Sequence, residues 1–372
     1  MKKRLFSTVI CAAMVSTMVM GCSSGSSAPA TTTAAATAAP ETEVKDTTAA
    51  DTEAAKTEAE KTEAEKTEEP PAEEKPAAEA TKVIGVIPKS TLFDFYKMVR
   101  QGAEDAAAEH GYTINYQGTN SSTDTAAQQN IVEDMDTAGM DALVISSIDA
   151  KAINDTIASL KVPVITFDDE MDPSVCLTTV SVNHEAAAAA GAAYIAEKLP
   201  NGGKVAVVSS EAGSDVIQQR DRGFENELKK HDKFELVGIY HTEGDREKAA
   251  NIMQDLLSEH PDLVAVFCCN EGASAGASKM LKDEGRTDIL AVGYDSSEEL
   301  INNIYDGSLD ALISQNPYGL GYNSVTAAIE AIEGKTDFQD VTESPYWLID
   351  ADNIHDPEVI KILDPLGTLN LK

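Results

Sequence analysis

The stretch Lys82–Tyr116, KVIGVIPKSTLFDFYKMVRQGAEDAAAEHGYTINY, decides the fold of this chain, because it predicts a strand, a helix and a second strand. Lys82–Pro88 is apolar on both faces, which is typical of a strand buried in a parallel sheet. The next segment carries one apolar helical face, formed by Phe95, Met98, Val99, Gly102, Ala103 and Ala106. Gly111 ends this helix where a left-handed residue is needed, and Tyr112–Tyr116 forms the second strand.

The alternation of strands and helices continues along the chain and indicates an α/β fold with parallel sheets and right-handed crossovers. About ten strands are predicted, a number compatible with one barrel or with two lobes. A break near Asn183 favours two Rossmann-like lobes, since a new series begins at strand Lys204–Ser209 after the Gly-rich turn Pro200–Gly203. The short β-rich run Leu177–Val182 is expected to bridge the two halves.

The N-terminus has the pattern of a secretory signal. A basic start, Met1–Arg4, precedes the mostly apolar segment Leu5–Met20. The following Gly21-Cys22 resembles the end of the lipobox of bacterial lipoproteins, in which the cysteine becomes the lipidated first residue. Residues 1–22 are therefore expected to be a lipoprotein signal peptide, with an ordinary signal peptide as the alternative. Cys22 would anchor the exported protein by lipid to the outer face of the cell membrane.

Residues 23–81 consist mainly of Ala, Thr, Glu, Lys, Pro and Ser, and they contain two consecutive KTEAE repeats, Lys56–Glu60 and Lys61–Glu65. This composition buries too little apolar surface to offset the entropy of ordering the chain. We therefore expect a disordered tether between the anchor and the globular part.

Charge and motifs disfavour several function classes. The formal net charge of −34 at pH 7 repels nucleic acid and anionic lipid, so neither is expected as a partner. The chain has no GxSxG, no P-loop and no GxGxxG after a strand, and most of its six histidines lie in surface-like contexts. An enzyme is therefore not expected. The vicinal carboxylates Asp168 and Asp169 are the remaining candidates for acid–base chemistry, but neighbouring side chains point apart in regular backbone.

The globular part contains three cysteines, Cys176, Cys268 and Cys269. Three thiols cannot all pair, and adjacent cysteines rarely pair with each other. Small buried residues are the expected role, with a disulfide through Cys176 as the alternative. No zinc spacing occurs, and no metal or cofactor site is predicted.

Polar residues follow the apolar runs at the predicted carboxyl ends of several strands. These residues are Ser146, Asp168, Asn270, Asp295 and Gln315. Ligands of open α/β sheets bind outside these strand ends, and the loop after the first strand adds the aromatic residues Phe93, Phe95 and Tyr96. Carboxylates and amides that bind hydroxyl groups, beside rings that stack on C–H faces, suit a sugar. Alternatively, each polar residue is a helix N-cap.

From Lys82 to about Asp350, the chain resembles the periplasmic sugar-binding receptors of the ribose-binding protein type. The matching motifs, in the order of the family, are Ile84–Ile87, Phe95-Tyr96 before Gly102-Ala103, Pro163–Asp168, Arg220–Phe224, His260–Phe267 with Asn270-Glu271, Val292–Asp295 and Gln315–Tyr322. Each motif is weak by itself, whereas seven motifs in order are specific.

The resemblance implies a type I periplasmic binding protein, in which two lobes joined by a three-crossing hinge close on a sugar. The first lobe would comprise residues 82–182 plus 316–345, and the second residues 183–315 plus 346–372. Phe95 and Tyr96 would stack on the sugar ring, and Asp168 would bind its hydroxyls. Polar contacts from the second lobe and hinge would come from Arg220, Asn270, Asp295 and Gln315. Arg222 is an alternative register for Arg220.

Three departures from the ribose-type pattern bear on the ligand. Asp169 replaces an arginine, Phe93 stands near a usually polar position, and Gly244 replaces an aromatic residue. They favour another pentose or hexose, a polyol, or a ligand bearing an amine over ribose itself. The expected protein is a monomer that binds a monosaccharide or polyol and delivers it to an ABC transporter permease. The alternative is a sensor that presents the bound sugar to a membrane kinase or chemoreceptor.

Overall fold

A computed structural model describes residues 81–369 and residue 371. The predicted signal peptide, the lipidation site Cys22 and the tether up to residue 80 lie outside these residues. None of the helices in the described part is long and apolar enough to cross a membrane.

Strands and helices alternate along the described chain. The elements before the first crossing are β1 (Val83–Ile87), α1 (Asp94–Glu109), β2 (Thr113–Tyr116), α2 (Thr125–Ala138), β3 (Ala142–Ile145), α3 (Ala150–Ser159), β4 (Val164–Phe167) and β5 (Thr178–Ser181). The next series is α4 (His184–Lys198), β6 (Gly203–Ser209), α5 (Asp215–Leu228), β7 (Phe234–His241), α6 (Arg246–Glu259), β8 (Leu263–Cys268), α7 (Glu271–Asp283), β9 (Leu290–Tyr294), α8 (Glu298–Asp306) and β10 (Ala311–Ser314). The last elements are α9 (Pro317–Ile332), β11 (Val341–Glu343), β12 (Trp347–Asp350) and α10 (Pro357–Leu363).

These strands form two six-stranded sheets, in the orders β11-β5-β4-β3-β1-β2 and β12-β10-β9-β8-β6-β7. Strand pairs are parallel except for the antiparallel pair of β10 and β12. The chain passes between the sheets after β5, after β10 and between β11 and β12. Two Rossmann-like α/β lobes with a three-crossing hinge are thus confirmed, and a single barrel is excluded.

One sequence prediction about the hinge is wrong. The run Leu177–Val182 does not bridge the lobes, because β5 lies inside the first sheet between β4 and β11. The elements β11, β12 and α10 were not predicted. All three residues of β11 are exposed, so the strand has no alternation of buried and exposed positions. It is a strand because it pairs with β5.

Each sheet is covered on both faces, as its all-apolar strands require. In β1, Ile84 packs under α1 and α9, whereas Ile87 packs under α2 and α3. The two adjacent cysteines follow the same alternation in the second lobe, where Cys268 and Cys269 lie buried on opposite faces. Together with the half-buried Cys176, they are free thiols in the described part of the chain.

Helices α1 and α9 pack at very close range because glycines lie at their contact. A Cβ added to Gly102 would lie 2.0 Å from the main-chain oxygen of Tyr318, and one added to Gly321 would lie 1.9 Å from that of Val99. Both distances are far below van der Waals contact. This contact attaches α9, which follows the second crossing, to the first lobe.

We predict that Gly102→Ala destabilises the first lobe, because the new methyl group can be placed only by separating the two helices. Overpacking of this kind costs about 1–3 kcal/mol or more. Thermal unfolding followed by circular dichroism should show a lower Tm than in the parent. Gly213→Ala is the matched control, since a Cβ there meets nothing within 4 Å. An equal Tm for both variants would contradict the close helix contact.

Candidate ligand-binding site

A cavity lies between the two sheets at the carboxyl ends of their strands. The lining residues are Lys89, Phe93, Phe95, Tyr96, Ser122 and Asp168 from the first lobe, Glu211, Val216, Ile217, Arg220, Asn270, Glu271 and Asp295 from the second, and Gln315 from the second crossing. Eight of the ten residues proposed from sequence are among them. The cavity has a volume of about 40 Å³ in this closed form.

Asp169 and Ser146 are hydrogen-bonded to each other and do not line this cavity. The Ser146 hydroxyl donates to Asp169 Oδ2 at 2.8 Å, and Lys89 Nζ donates to Asp169 Oδ1 at 2.8 Å. Both oxygens of Asp169 are therefore engaged within the protein. The structure places neither Ser146 nor Asp169 among the lining residues, so their direct contact with a ligand stays a prediction.

Lys89 is a site residue that sequence reasoning missed. It supplies a buried cation in a site where Asp169 has replaced an arginine, and it also donates to Ser214 Oγ of the second lobe at 3.1 Å. Burial lowers the pKa of Lys89, but Asp169, Asp168 and Glu211 outweigh burial and raise it above its ordinary value. The ammonium is therefore charged. Its position just after β1, at the same sheet edge as the other polar residues, was the available signal.

Asp168 has a left-handed backbone conformation, and one oxygen of its carboxylate has no hydrogen-bond partner among the described residues. Its φ of 64° lies in the left-handed region, and its main-chain oxygen accepts from Ser181 Oγ at 2.7 Å and His184 Nε2 at 3.0 Å. Its Oδ1 is buried and has no hydrogen-bond partner among the described residues. The nearest cation is Arg220, whose Nη2 is 3.8 Å away. Such a strained residue at a cavity is typical of a functional site.

Arg220 is held by the second lobe on three sides. Its Nη1 donates to the main-chain oxygen of Cys269 at 2.9 Å, its Nε donates to His184 Nδ1 at 3.4 Å, and its guanidinium lies 3.8 Å above the ring of Tyr294. The alternative register is not supported, because Arg222 is exposed and pairs with Glu185 at 2.8 Å.

His184 was also missed, since the sequence placed most histidines in surface-like contexts. It is only 1% exposed, and burial together with Arg220 lowers its pKa to about 4. The ring is therefore neutral at pH 7. Because Nδ1 accepts from Arg220, the proton is assigned to Nε2, which donates to the main-chain oxygen of Asp168. One ring thus links an arginine of the second lobe to an aspartate of the first.

Asp295 and Gln315 form a second buried pair. Asp295 has a φ of 70°, and its Oδ1 accepts from Gln315 Nε2 at 2.9 Å, while its Oδ2 accepts from the Glu271 main-chain N–H at 3.0 Å. Burial is the main reason why the pKa of Asp295 is raised, and Arg220 opposes it. Gln315 Oε1 is buried and has no partner among the described residues.

Asn270 is a helix N-cap that also faces the cavity. Its Oδ1 accepts from the Ala273 main-chain N–H at 2.9 Å, and its Nδ2 donates to Ser210 Oγ at 2.9 Å. The capping role considered for all the strand-end residues therefore applies to Asn270. Asp168 and Asp295 do not cap the helices that follow them.

The aromatic residues stand at the start of α1. The rings of Phe95 and Tyr96 meet edge to face, with centroids 5.0 Å apart. The helix has no side-chain cap of its own; instead, Glu271 of the second lobe accepts from the N–H groups of Asp94 at 3.3 Å and Phe95 at 3.2 Å. Glu271 was not among the predicted site residues. Burial and then Asp295 raise its pKa to about 7.

The lobes are closed in this structure. Besides Glu271, Phe93 also crosses the cleft, since a Cβ added to Gly272 would lie 3.2 Å from its ring. Groups of His, Cys, Asp and Glu that could hold a metal ion are absent from the described residues. The site therefore offers unpartnered acceptor oxygens beside aromatic rings, which suits a small organic molecule with several O–H or N–H donors.

Comparisons with known proteins agree with this fold. The family described as "Periplasmic binding protein domain" matches residues 84–336. The ribose import binding protein of Bacillus subtilis is 31% identical over 244 residues, which cover 65% of this chain and 78% of that protein.

Two crystal structures from Agrobacterium vitis are similar at 25% identity. Both are ABC transporter solute-binding proteins, one bound with alpha-D-tagatopyranose (TM-score 0.71) and one with D-fucose (TM-score 0.72). Each comparison covers 76% of this chain and 99% of the other. The resemblance to ribose-type receptors is confirmed, and this chain belongs to the periplasmic binding protein family.

Proposed function

We propose that this protein is an extracytoplasmic substrate-binding lipoprotein that captures a small sugar or polyol between two closing lobes and delivers it to an ABC permease. The lobes would be residues 82–182 plus 316–345 and residues 183–315 plus 346–372. The relatives named as an import binding protein and as ABC transporter solute-binding proteins support the transport role.

The observation that carries the proposal is a pair of buried acceptor atoms, in residues that line the cavity, without hydrogen-bond partners in the described part of the chain. Asp168 Oδ1 comes from the first lobe, and Gln315 Oε1 comes from the end of β10. A buried polar atom without a hydrogen bond is costly, so both atoms would gain from a donor on a bound ligand. Hydroxyl groups of a sugar or polyol would provide it, and Phe95 and Tyr96 would pack against its C–H face.

The lipid anchor, the tether and the monomeric state are inferred from the sequence alone. Cys22 would carry the lipid, residues 23–81 would be the tether, and the protein would act as a monomer without nucleic acid. Binding without catalysis is supported by the relatives, which are named as binding proteins and not as enzymes.

A thermal-shift screen against pentoses, hexoses, polyols and amino sugars tests the function directly. A ligand present at a hundred times its Kd adds about 2.7 kcal/mol to the free energy of unfolding, which gives a clear rise in Tm. Absence of a shift with every compound, in protein that unfolds cooperatively, would contradict the proposal.

Asp168→Asn is predicted to weaken binding of the ligand found in that screen. Asparagine tolerates the left-handed backbone but removes the charge, so the loss should be about 1.5–3 kcal/mol, the range for a hydrogen bond to a charged group. Titration calorimetry measures the change. Asp155→Asn, on the exposed face of α3, is the control and should bind as the parent does. Parent-like binding by Asp168→Asn would place the ligand elsewhere.

Ligand binding is predicted to close the lobes, because neither lobe alone can remove a small polar molecule from water. Small-angle scattering of residues 82–372 should give a smaller radius of gyration with ligand than without it. The structure already shows contacts across the cleft, such as Lys89 to Ser214 at 3.1 Å, that closure would form. A bound form as extended as the free form would argue against closure.

The lipid anchor predicts that Cys22→Ser releases the protein from membranes of the expressing cell. A lipid chain supplies about 0.8 kcal/mol for each buried CH₂ group, and the anchor is lost with the cysteine. Fractionation and immunoblotting of both forms measure the release. Cys176→Ser, in the globular part, serves as the control and should stay in the membrane fraction. Retention of Cys22→Ser in the membrane would contradict the lipoprotein assignment.

A further inference from the structure

The cavity is lined by more carboxylates than cations. Its two cations each have a carboxylate close by, since Lys89 pairs with Asp169 at 2.8 Å and Arg220 lies 3.8 Å from Asp168. Three further carboxylates line the cavity: Glu211, Glu271 and Asp295. None of them has a Lys, Arg or His nitrogen within 4.0 Å in the described part of the chain.

Glu211 is the carboxylate with the fewest contacts. It is 7% exposed, and no hydrogen bond reaches its side chain from the residues that the structure describes. It lies beside Gly244, where a Cβ would be 2.8 Å from Glu211 Oε1. A Cβ at Gly244 would also lie 2.6 Å from the Ser122 hydroxyl, so this glycine leaves room for both side chains at the cavity.

Glu271 and Asp295 form the second part of this negative region. The Glu271 main-chain N–H donates to Asp295 Oδ2 at 3.0 Å, which holds the two residues together. Asp94 and Lys97 on α1, Asp168 after β4 and Arg220 on α5 are the other charged groups that act on this pair. Burial and Asp295 raise the pKa of Glu271 to about 7, which is the expected response of a carboxylate that lacks a cationic partner.

A second observation points to a ligand at the same place. Asp168 Oδ1 and Gln315 Oε1 are buried in residues only 5% and 1% exposed, and both lack partners among the described residues. Both of these unpartnered atoms are acceptors, and they belong to the same cavity as the three carboxylates. A neutral sugar would satisfy the acceptors, whereas a cationic donor would satisfy them and pair with the carboxylates as well.

We infer that the cavity binds a ligand that carries a protonated primary amine beside several hydroxyls, an amino sugar or an amino polyol, with Glu211 as the residue that selects the amine. The inference rests on the proposed function, because it names the ligand class of the same cavity. The hydroxyls would bind Asp168 and Gln315, and the ammonium would lie towards Glu211, Glu271 and Asp295.

The test is titration calorimetry of the full chain at pH 7 with matched pairs in which an ammonium replaces one hydroxyl. The pairs are D-glucosamine with D-glucose, D-galactosamine with D-galactose, and 1-amino-1-deoxy-D-sorbitol with D-sorbitol. At least one amine should bind about tenfold or more tightly than its hydroxyl partner, as charge-assisted hydrogen bonds exceed neutral ones. Glu211→Gln should remove this preference, since it keeps the shape but not the charge.

Glu259→Gln is the control, because it removes the same charge from an exposed position at the end of α6 and should keep the preference. Neutral partners that bind as tightly as the amines, or more tightly, would overturn the inference and leave the sugar-binding function intact. An amine preference unchanged in Glu211→Gln would overturn the role of Glu211. If no amine and no hydroxyl partner binds, the inference is contradicted. If the thermal-shift screen also finds no ligand, the proposed function is contradicted as well.

Discussion

The hydrogen bond from His184 Nε2 to the main-chain oxygen of Asp168 is the contact on which the site depends. His184 is the first residue of α4, directly after the first crossing, so this bond joins the two lobes where the chain itself joins them. Asp168 keeps its left-handed backbone because Ser181 and His184 both donate to its carbonyl group. A charged imidazole could not accept from Arg220, and the depressed pKa of His184, about 4, keeps the ring neutral.

The cavity is built by repetition of one topology. The sheets have the same strand order, so β4 of the first lobe corresponds to β9 of the second. Each of these strands ends in a buried aromatic residue followed by an aspartate with positive φ, which gives Phe167-Asp168 and Tyr294-Asp295. The two carboxylates therefore enter the cleft from opposite sides. The lobes differ in how they use the pattern, since Asp295 is engaged by Gln315 while Asp168 Oδ1 has no partner in the described chain.

The start of α1 is completed only when the lobes meet. Phe93 provides no side-chain cap, and the carboxylate of Glu271 takes that place from the opposite lobe. A negative charge at a helix N-terminus is favourable because of the helix dipole and the free N–H groups. The same contact lies at the start of the helix that carries Phe95 and Tyr96, which line the cavity.

The sequence by itself determined the fold class and most of the cavity wall. Apolar strands such as Val83–Ile87 and helical spacing such as that of α1 are local patterns, and polar residues at the ends of parallel strands must converge because the strands share one direction. For this reason Asp168, Asn270 and Asp295 could be proposed without a structure. Strands such as β11, with three exposed residues, carry no such pattern.

Only the tertiary structure decided how the charges are paired. Lys89 and Asp169 are 80 residues apart in the chain but 2.8 Å apart in space, and Glu271 reaches N–H groups that lie 177 and 176 residues away. The burial of His184 and the room that Gly244 leaves for Glu211 likewise depend on segments brought together from distant parts of the chain. Local sequence encodes which face of a strand or helix is apolar. It does not encode which charged group will lie opposite another once two lobes close, because that depends on distances set by the whole fold.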